Sequence, residues 1–267
     1  MRQPAVADRF YPGSPKALEH TINELLAAEP EHEKEEVIAV VSPHAGYIYS
    51  GELAAKTLNS VKIPETVIII GTNHTGAGAP VALSTSDWNM PLGPVPVDTE
   101  ISSLLLASSS QIQQDESAHR NEHSLEVQVP FLQHFQKNLS IVPLVISLIS
   151  LPLCREIGET LAHAVKLSGK KILLLASTDM SHYESRETAE RKDRLALKCV
   201  EELEPEKLYQ TVLENKISMC GFIPVTITLF AAKILGATSA RLIGYTDSGY
   251  VSGDTDQVVG YAGLTIS

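Results

Sequence analysis

Lys171-Ile172-Leu173-Leu174-Leu175-Ala176 runs straight into Ser177-Thr178-Asp179-Met180-Ser181-His182. The first half is a short, continuous apolar run, the pattern of a strand buried on both faces of a parallel sheet. The second half is polar and carries a histidine. The same junction occurs twice more. Val37–Ser42 (VIAVVS) leads to Pro43-His44-Ala45-Gly46-Tyr47, and Thr66–Ile70 (TVIII) leads to Gly71-Thr72-Asn73-His74. A fourth apolar run, Ser140–Ile146, has no histidine after it, and Ala240–Tyr245 and Val258–Ile266 read as two later strands. Helical patterns fall between them, at 16–28, 51–61, 97–108, 125–136, 153–167, 186–202 and 222–235. This alternation predicts a single α/β domain over residues 1–267, with a largely parallel or mixed central β-sheet flanked by helices.

Composition narrows the field. The chain has 267 residues and a formal net charge of −11, which argues against a basic nucleic-acid surface. With 43% hydrophobic and 20% charged residues it is globular rather than disordered. The most apolar stretch, Ile141 to Cys154, is interrupted by Pro143, Ser147, Ser150 and Pro152 and falls short of the ~20 residues of a spanning helix. The N-terminal MRQPAVADRFYPGSP has no apolar core of the signal-peptide kind. Three widely spaced cysteines make no disulfide framework. The expectation is a cytoplasmic protein with no membrane and no nucleic-acid partner. Glu29–Glu36 (EPEHEKEE) reads as a solvated link. Neither a GxGxxG fingerprint, a Walker loop nor a GxSxG elbow is present, so nucleotide binding and that type of serine hydrolysis are disfavoured.

In open α/β sheets, ligands collect beyond the carboxyl ends of the strands. If the three histidine-bearing strands are parallel neighbours, His44, His74 and the segment holding Asp179 and His182 converge on one edge. Any one of these histidines alone reads equally as a loop residue bonded to a carbonyl. His20, His32, His134 and His163 lie in helical or charged stretches and read as solvated or core-edge residues. Cys220, in Ser218-Met219-Cys220-Gly221-Phe222, precedes an apolar helix. There the spacing leaves two readings open: a thiol whose pKa is lowered by a helix N-terminus, or a small buried hydrophobe. Cys154 and Cys199 fit the buried reading. In Glu122-His123-Ser124-Leu125-Glu126, Ser124 and Glu126 read as an N-cap and an acidic first turn, with His123 as a pocket-lining residue. His119 and His123 have chelating spacing but no helical pattern around them. Gly249–Asp254 reads as a loop able to cover the pocket.

The motifs PAVADRFYP (4–12), SPHAGYIYSG (42–51), IGTNH (70–74), NEHSLEVQVPFLQ (121–133), STDMSHY (177–183), SMCGFIPV (218–225) and GYAGLTIS (260–267) resemble, in order and over nearly the whole chain, the Memo family. Its prokaryotic members are called AmmeMemoRadiSam system protein B. Asp8 stands where the family has glycine. The resemblance implies a fold similar to the class III non-haem iron extradiol dioxygenases. It also implies a metal site at His44, His74 and Cys220 for iron or copper, with zinc as an alternative. Asp179 and His182 match catalytic positions of the same pocket, and Tyr49, Phe10 and His123 are expected to line it for a ligand. Cysteine where the dioxygenases have a carboxylate argues against ring cleavage. The functional expectation is a metal-dependent redox enzyme, with a non-catalytic module for a peptide or small-molecule ligand as the alternative. The family name further implies a radical S-adenosylmethionine protein and an AMMECR-type protein as pathway partners.

Overall fold

The computed structural model describes residues 1–27 and 33–267. In chain order the first elements are α1 (Pro15–Leu26), β1 (Ala39–Ser42), α2 (Tyr47–Asn59) and β2 (Thr66–Thr72). Next come the short strands β3 (Val81–Leu83), β4 (Trp88–Met90) and β5 (Gly93–Val95), then α3 (Thr99–Ser108) and β6 (Gln113–Gln114). A 3-10 turn at Glu126–Gln128 leads to α4 (Val129–Phe135), β7 (Ser140–Ile146), α5 (Leu151–Ser168) and β8 (Ile172–Ser177). The remaining elements are β9 (His182–Glu184), α6 (Arg186–Glu201), α7 (Pro205–Glu214), α8 (Phe222–Leu235), β10 (Ala240–Asp247), α9 (Gly249–Ser252) and β11 (Val258–Ile266).

The main sheet has the order β10-β11-β1-β8-β2-β7-β3-β6, with β9 paired to β11, while β4 and β5 form a separate ribbon. Its centre is parallel: β1 on β8, β8 on β2, and β2 on β7. Antiparallel strands flank that centre, β11 against β1 and β3 against β7. The chain is therefore a single α/β domain with a mixed, mostly parallel central sheet. The register levels the carboxyl ends of the three histidine-bearing strands, with Ser42 opposite Ser177 and Ile70 opposite Ala176.

Strand side chains alternate between two cores, as the pleat requires. Ala39, Val41, Ile68, Ile70, Leu174 and Ala176 face the layer of α3, α5, α6, α7 and α8. Val40, Val67, Ile69, Leu173 and Leu175 face α1, α2 and α4. Helix α8 is buried along most of its length, which explains its nearly unbroken apolar sequence. Gly158 allows α5 to approach it: a Cβ there would stand 2.6 Å from the Cβ of Phe230. Cys154 and Cys199 are buried as expected.

Several expectations change. Helix α2 begins one turn before residue 51, at Tyr47, because Gly46 serves as its N-cap. The helix expected over 125–136 is split into the 3-10 turn and α4, with Pro130 in the first turn of α4. Helix α7 was not anticipated, although Pro205 in its first turn and the buried pair Leu208 and Val212 are adequate signals. Gly249–Asp254 contains the helical turn α9, closed by Gly253 at φ 77°. Of the expected Glu29–Glu36 link, residues 29–32, His32 included, lie outside the described residues, while Glu35 and Glu36 pair with Arg241 and Lys171. Asp8 adopts φ 61°, the left-handed region that favours glycine. Its carboxylate accepts the Gly13 N–H at 2.7 Å, which fixes the turn locally. No helix among the described residues is long and apolar enough to cross a membrane.

Candidate metal centre

His44 leaves β1, His74 leaves β2, and Asp179 leaves β8 between them, so adjacent parallel strands deliver all three to one edge. The 119–126 segment brings His123 to the same place. One ligand atom from each of His44, His74 and His123 lies within 4.8 Å of the others. The rings of His74 and His123 stack at 4.5 Å, and the ring of His44 meets both nearly edge-on. His44 is buried, His123 is partly covered, and the His74 side chain retains 30% exposure.

Hydrogen bonds settle which nitrogens face this cluster. Ser177 Oγ donates its single proton to the Ser124 carbonyl at 2.6 Å and accepts from Gln128 Nε2 at 2.9 Å. It must therefore accept from His44 Nδ1–H, 3.0 Å away, which leaves a lone pair on His44 Nε2. His74 Nδ1 stands 2.9 Å from the Glu122 carboxylate, an acceptor, so its Nε2 is likewise free to ligate. His123 Nδ1 lies 3.5 Å from the same oxygen. Burial holds His44 well below the ordinary imidazole pKa and lowers His123 to about 4, so both are neutral near pH 7, the form a metal binds.

Glu122 is the residue the sequence reading missed. It is buried, and it accepts the backbone N–H groups of His74, His123 and Ser124 besides the His74 ring. Burial pushes its pKa up, but the bonds and charges of His74, Ser124 and His123 outweigh burial and bring it to about 2. Carboxylates that fix metal-binding imidazoles in this way are common supports of metal sites. An acidic residue flanked by polar ones reads as solvated, so only its N-E-H-S context carried any signal.

Cys220 Sγ lies 3.3 Å from His44 Nε2 and accepts the Asp179 N–H at 3.2 Å. Thr72 Oγ1 donates to its carbonyl, and Gly221 N donates to Thr178 Oγ1, so Cys220 is tied to the ends of β2 and β8. Gly221 is required by this approach, since a Cβ would stand 2.4 Å from the Cβ of Thr178. Of the two readings left open for Cys220, the thiol pKa lowered by the α8 N-terminus is not the one found. Burial and the Asp179 carboxylate push it up instead.

Asp179 accepts the His44 backbone N–H at 2.7 Å, and burial raises its pKa to about 6. It does not orient His182: the His182 ring donates from Nδ1 to the Ser218 carbonyl at 2.9 Å. Phe10 packs on His123 at 4.9 Å, and Tyr49 stands on the first turn of α2 with 42% exposure. Ser124 does not cap a helix, while Glu126 does stand in the first turn of the 3-10 helix. Ser124 Oγ donates to the Thr72 carbonyl, and Glu126 is buried against the N-terminal arm. His119 is buried and bonded to the Ala82 carbonyl, away from the cluster. A cleft of about 420 Å³ opens at the opposite, amino edge of the sheet, around Glu36, Lys171 and Leu235.

An α/β sheet whose parallel strand ends gather three imidazoles with free ring nitrogens defines a protein with a candidate metal centre. The Memo-like protein family profile matches residues 2–265, and the chain belongs to that family. A MEMO1 family protein of Methanococcoides burtonii is 42% identical over the full length of both chains. One from Aquifex aeolicus is 38% identical over 99% of this chain and 98% of its own. Among solved structures, the crystal structure of an uncharacterized protein from Escherichia coli K12 shares the fold, with a TM-score of 0.58 at 13% identity. It covers 86% of this chain and 100% of its own.

Proposed function

We propose that the protein holds a transition metal at His44, His74, His123 and Cys220, a redox-active iron or copper, with redox-inert zinc as the alternative. The observation that carries this reading is the convergence of three imidazoles whose Nδ1 atoms are turned towards Ser177 and Glu122. The 3.3 Å between Cys220 Sγ and His44 Nε2 supports the thiol as a further donor. Two donors roughly 2.0 and 2.3 Å from one tetrahedral ion stand about 3.5 Å apart. Coordination deprotonates a thiol outright, which overcomes the raised pKa of Cys220. A bound iron or copper would supply electron transfer to or from a substrate. Around it, this chain's own residues carry the rest: Asp179 holds or releases a proton near pH 6, and His182 stands at the rim as a second proton carrier. The exposed edge of His74 gives a substrate access.

Metal analysis and cobalt(II) titration of the protein test the reading. One metal per chain is expected, with a thiolate-to-cobalt charge-transfer band that disappears in Cys220→Ser, and His44→Ala should abolish binding. A soft thiolate favours copper(I) over iron(II), so Cys220→Glu should lower the copper(I)-to-iron(II) affinity ratio in anaerobic chelator competition. No metal uptake, or a band and ratio indifferent to Cys220, overturns the assignment. His182→Ala should retain full metal content while any turnover falls, because its ring bonds to Ser218 rather than to the cluster. Metal loss equal to that of His44→Ala would make His182 a ligand. The packing of Phe10 on His123 favours a second reading, a module that binds a peptide or small ligand. Absence of turnover with iron, copper and manganese in an oxygen electrode would select it over the enzyme.

A further inference from the structure

We infer that Arg2 and Glu126 form a buried clamp that positions Glu122, His74 and His123, so that the N-terminal arm is a working part of the candidate metal centre. The inference rests on the metal reading above and extends it to residues outside the cluster. Apart from Phe10, which packs on His123, the arm's motif, residues 4–12, is otherwise unused by the site.

The Arg2 guanidinium lies over the Trp88 ring, 4.1 Å from its centroid, and reaches three partners in the 119–126 segment. Nε donates to the His119 carbonyl at 2.7 Å, and Nη2 donates to the Glu122 carbonyl at 2.6 Å. Nη1 pairs with Glu126 Oε2 at 2.7 Å, with both side chains almost wholly buried. Glu126 in turn accepts the backbone N–H groups of Ala5 and Val6 and the hydroxyl of Tyr11. The 119–126 segment has no helix or strand to define its path before the 3-10 turn at Glu126. Local turn bonds, such as Glu122 N to the His119 carbonyl and Val127 N to the His123 carbonyl, give it its bends, and the Arg2 bonds at one side and the Glu122 carboxylate at the other tie those bends in place. The guanidinium reaches these acceptors from three nitrogens spread over a rigid, planar fork, whereas a lysine ammonium offers all its donors from one nitrogen and does not span them. Because Glu122 is held through its own carbonyl by Arg2, release of the fork frees the backbone that aims its carboxylate at His74 and His123. Supports of metal ligands at this remove typically change affinity by about 10–100-fold. Arg2 and Glu126 are positioning residues. Neither touches the cluster.

The test compares Arg2→Met, Arg2→Lys, Glu126→Gln and the Arg2→Met/Glu126→Gln pair with the unmodified protein. Three measurements are made: cobalt(II) affinity, the cobalt d–d spectrum, and amide hydrogen exchange at His74, His123 and Ser124, whose N–H groups Glu122 accepts. Each variant, the charge-balanced pair included, is expected to bind cobalt about tenfold or more weakly. The d–d bands should shift, and protection at the three amides should fall by a similar factor. Arg2→Lys should not rescue. Unchanged affinity and spectrum in folded Arg2→Met overturns the clamp, as does full recovery in the double variant, which would reduce the pair to charge balance. If Arg2→Met does not fold, Arg2→Lys and Glu126→Gln decide by the same readings. If the unmodified protein takes up no cobalt, the metal reading fails, and the amide exchange still decides the clamp: unchanged protection at His74, His123 and Ser124 overturns it.

Discussion

Glu122→Gln is expected to lower metal affinity between about ten- and a hundredfold while leaving the fold intact, and Glu122→Ala to destabilise the whole domain. The reason lies in how the carboxylate is used. One oxygen accepts from the His74 ring, His123 N and Ser124 N, and the other from His74 N. A glutamine can keep its oxygen on the three-donor side, but its NH2 group then faces the His74 N–H, donor against donor. That substitution costs about 1–3 kcal/mol for the orphaned group. It also removes the charge that draws the proton onto His74 Nδ1, which supports metal ligation from the other ring nitrogen. Alanine leaves all four donors without the carboxylate, and the same range per group gives a loss of about 4 kcal/mol or more. Such a loss is a large share of an ordinary domain's stability of about 5–15 kcal/mol. Zinc competition and urea unfolding of both variants measure the two effects. Undiminished affinity in folded Glu122→Gln would mean that the carboxylate does not orient the imidazoles.

The framework of this site was legible, and its supports were not. The run Ser140–Ile146 matches β7, and Val37–Ser42, Thr66–Ile70 and Lys171–Ala176 each lie within two residues of β1, β2 and β8 at either end. Buried parallel strands are apolar along their whole length, so they stand out without any periodicity. Their common direction then placed His44, His74 and Asp179 at one edge before any contact was known. Strands β3 to β6 escaped because two or three residues carry no pattern. The larger omission was the 119–126 segment, which has neither the period of a helix nor that of a strand. Its turns are tied in place by Arg2, over 100 residues away in sequence, and by the carboxylates of Glu122 and Glu126. Charged residues are almost never fully buried unless paired, and the pairing is a tertiary fact. Read locally, Ser124 and Glu126 had the form of a cap, and Glu122 had the form of a solvated acid. The same locality left the reading of Cys220 open, because proximity to α8 was visible and burial beside Asp179 was not.

Without metal, the protein is expected to lose stability steeply as pH falls from about 6.5 to 4. Burial holds four imidazoles below the ordinary value of 6.5: His44, His119 and His123 at the sheet edge, and His134 on α4. His119 and His123 come down to about 4. Over most of this window His44, His119 and His123 are neutral when folded and protonated when unfolded, so unfolding takes up protons and acid favours it. Two buried carboxyls act in the opposite sense. Asp179, raised to about 6, is protonated in the fold over part of the same range and releases a proton on unfolding, and Asp193 is shifted in the same direction. Three protons gained, at His44, His119 and His123, against one lost, at Asp179, leave a net uptake of two, a slope of roughly 2–3 kcal/mol per pH unit at its steepest. Below this window the depressed Glu122 adds to the loss, since its contribution is present above the ordinary carboxylate pKa and disappears as pH falls towards 2. Urea midpoints measured from pH 7 to 4 on chelator-treated protein read the slope directly. His119→Gln isolates one of the imidazoles, because that ring bonds only to the Ala82 carbonyl and lies outside the cluster. The variant should flatten the profile by about one proton while keeping its metal affinity. A midpoint that does not move between pH 6.5 and 4.5 would mean that these imidazoles are already protonated in the folded state. The neutral, metal-ready form assigned to His44 and His123 would then be wrong.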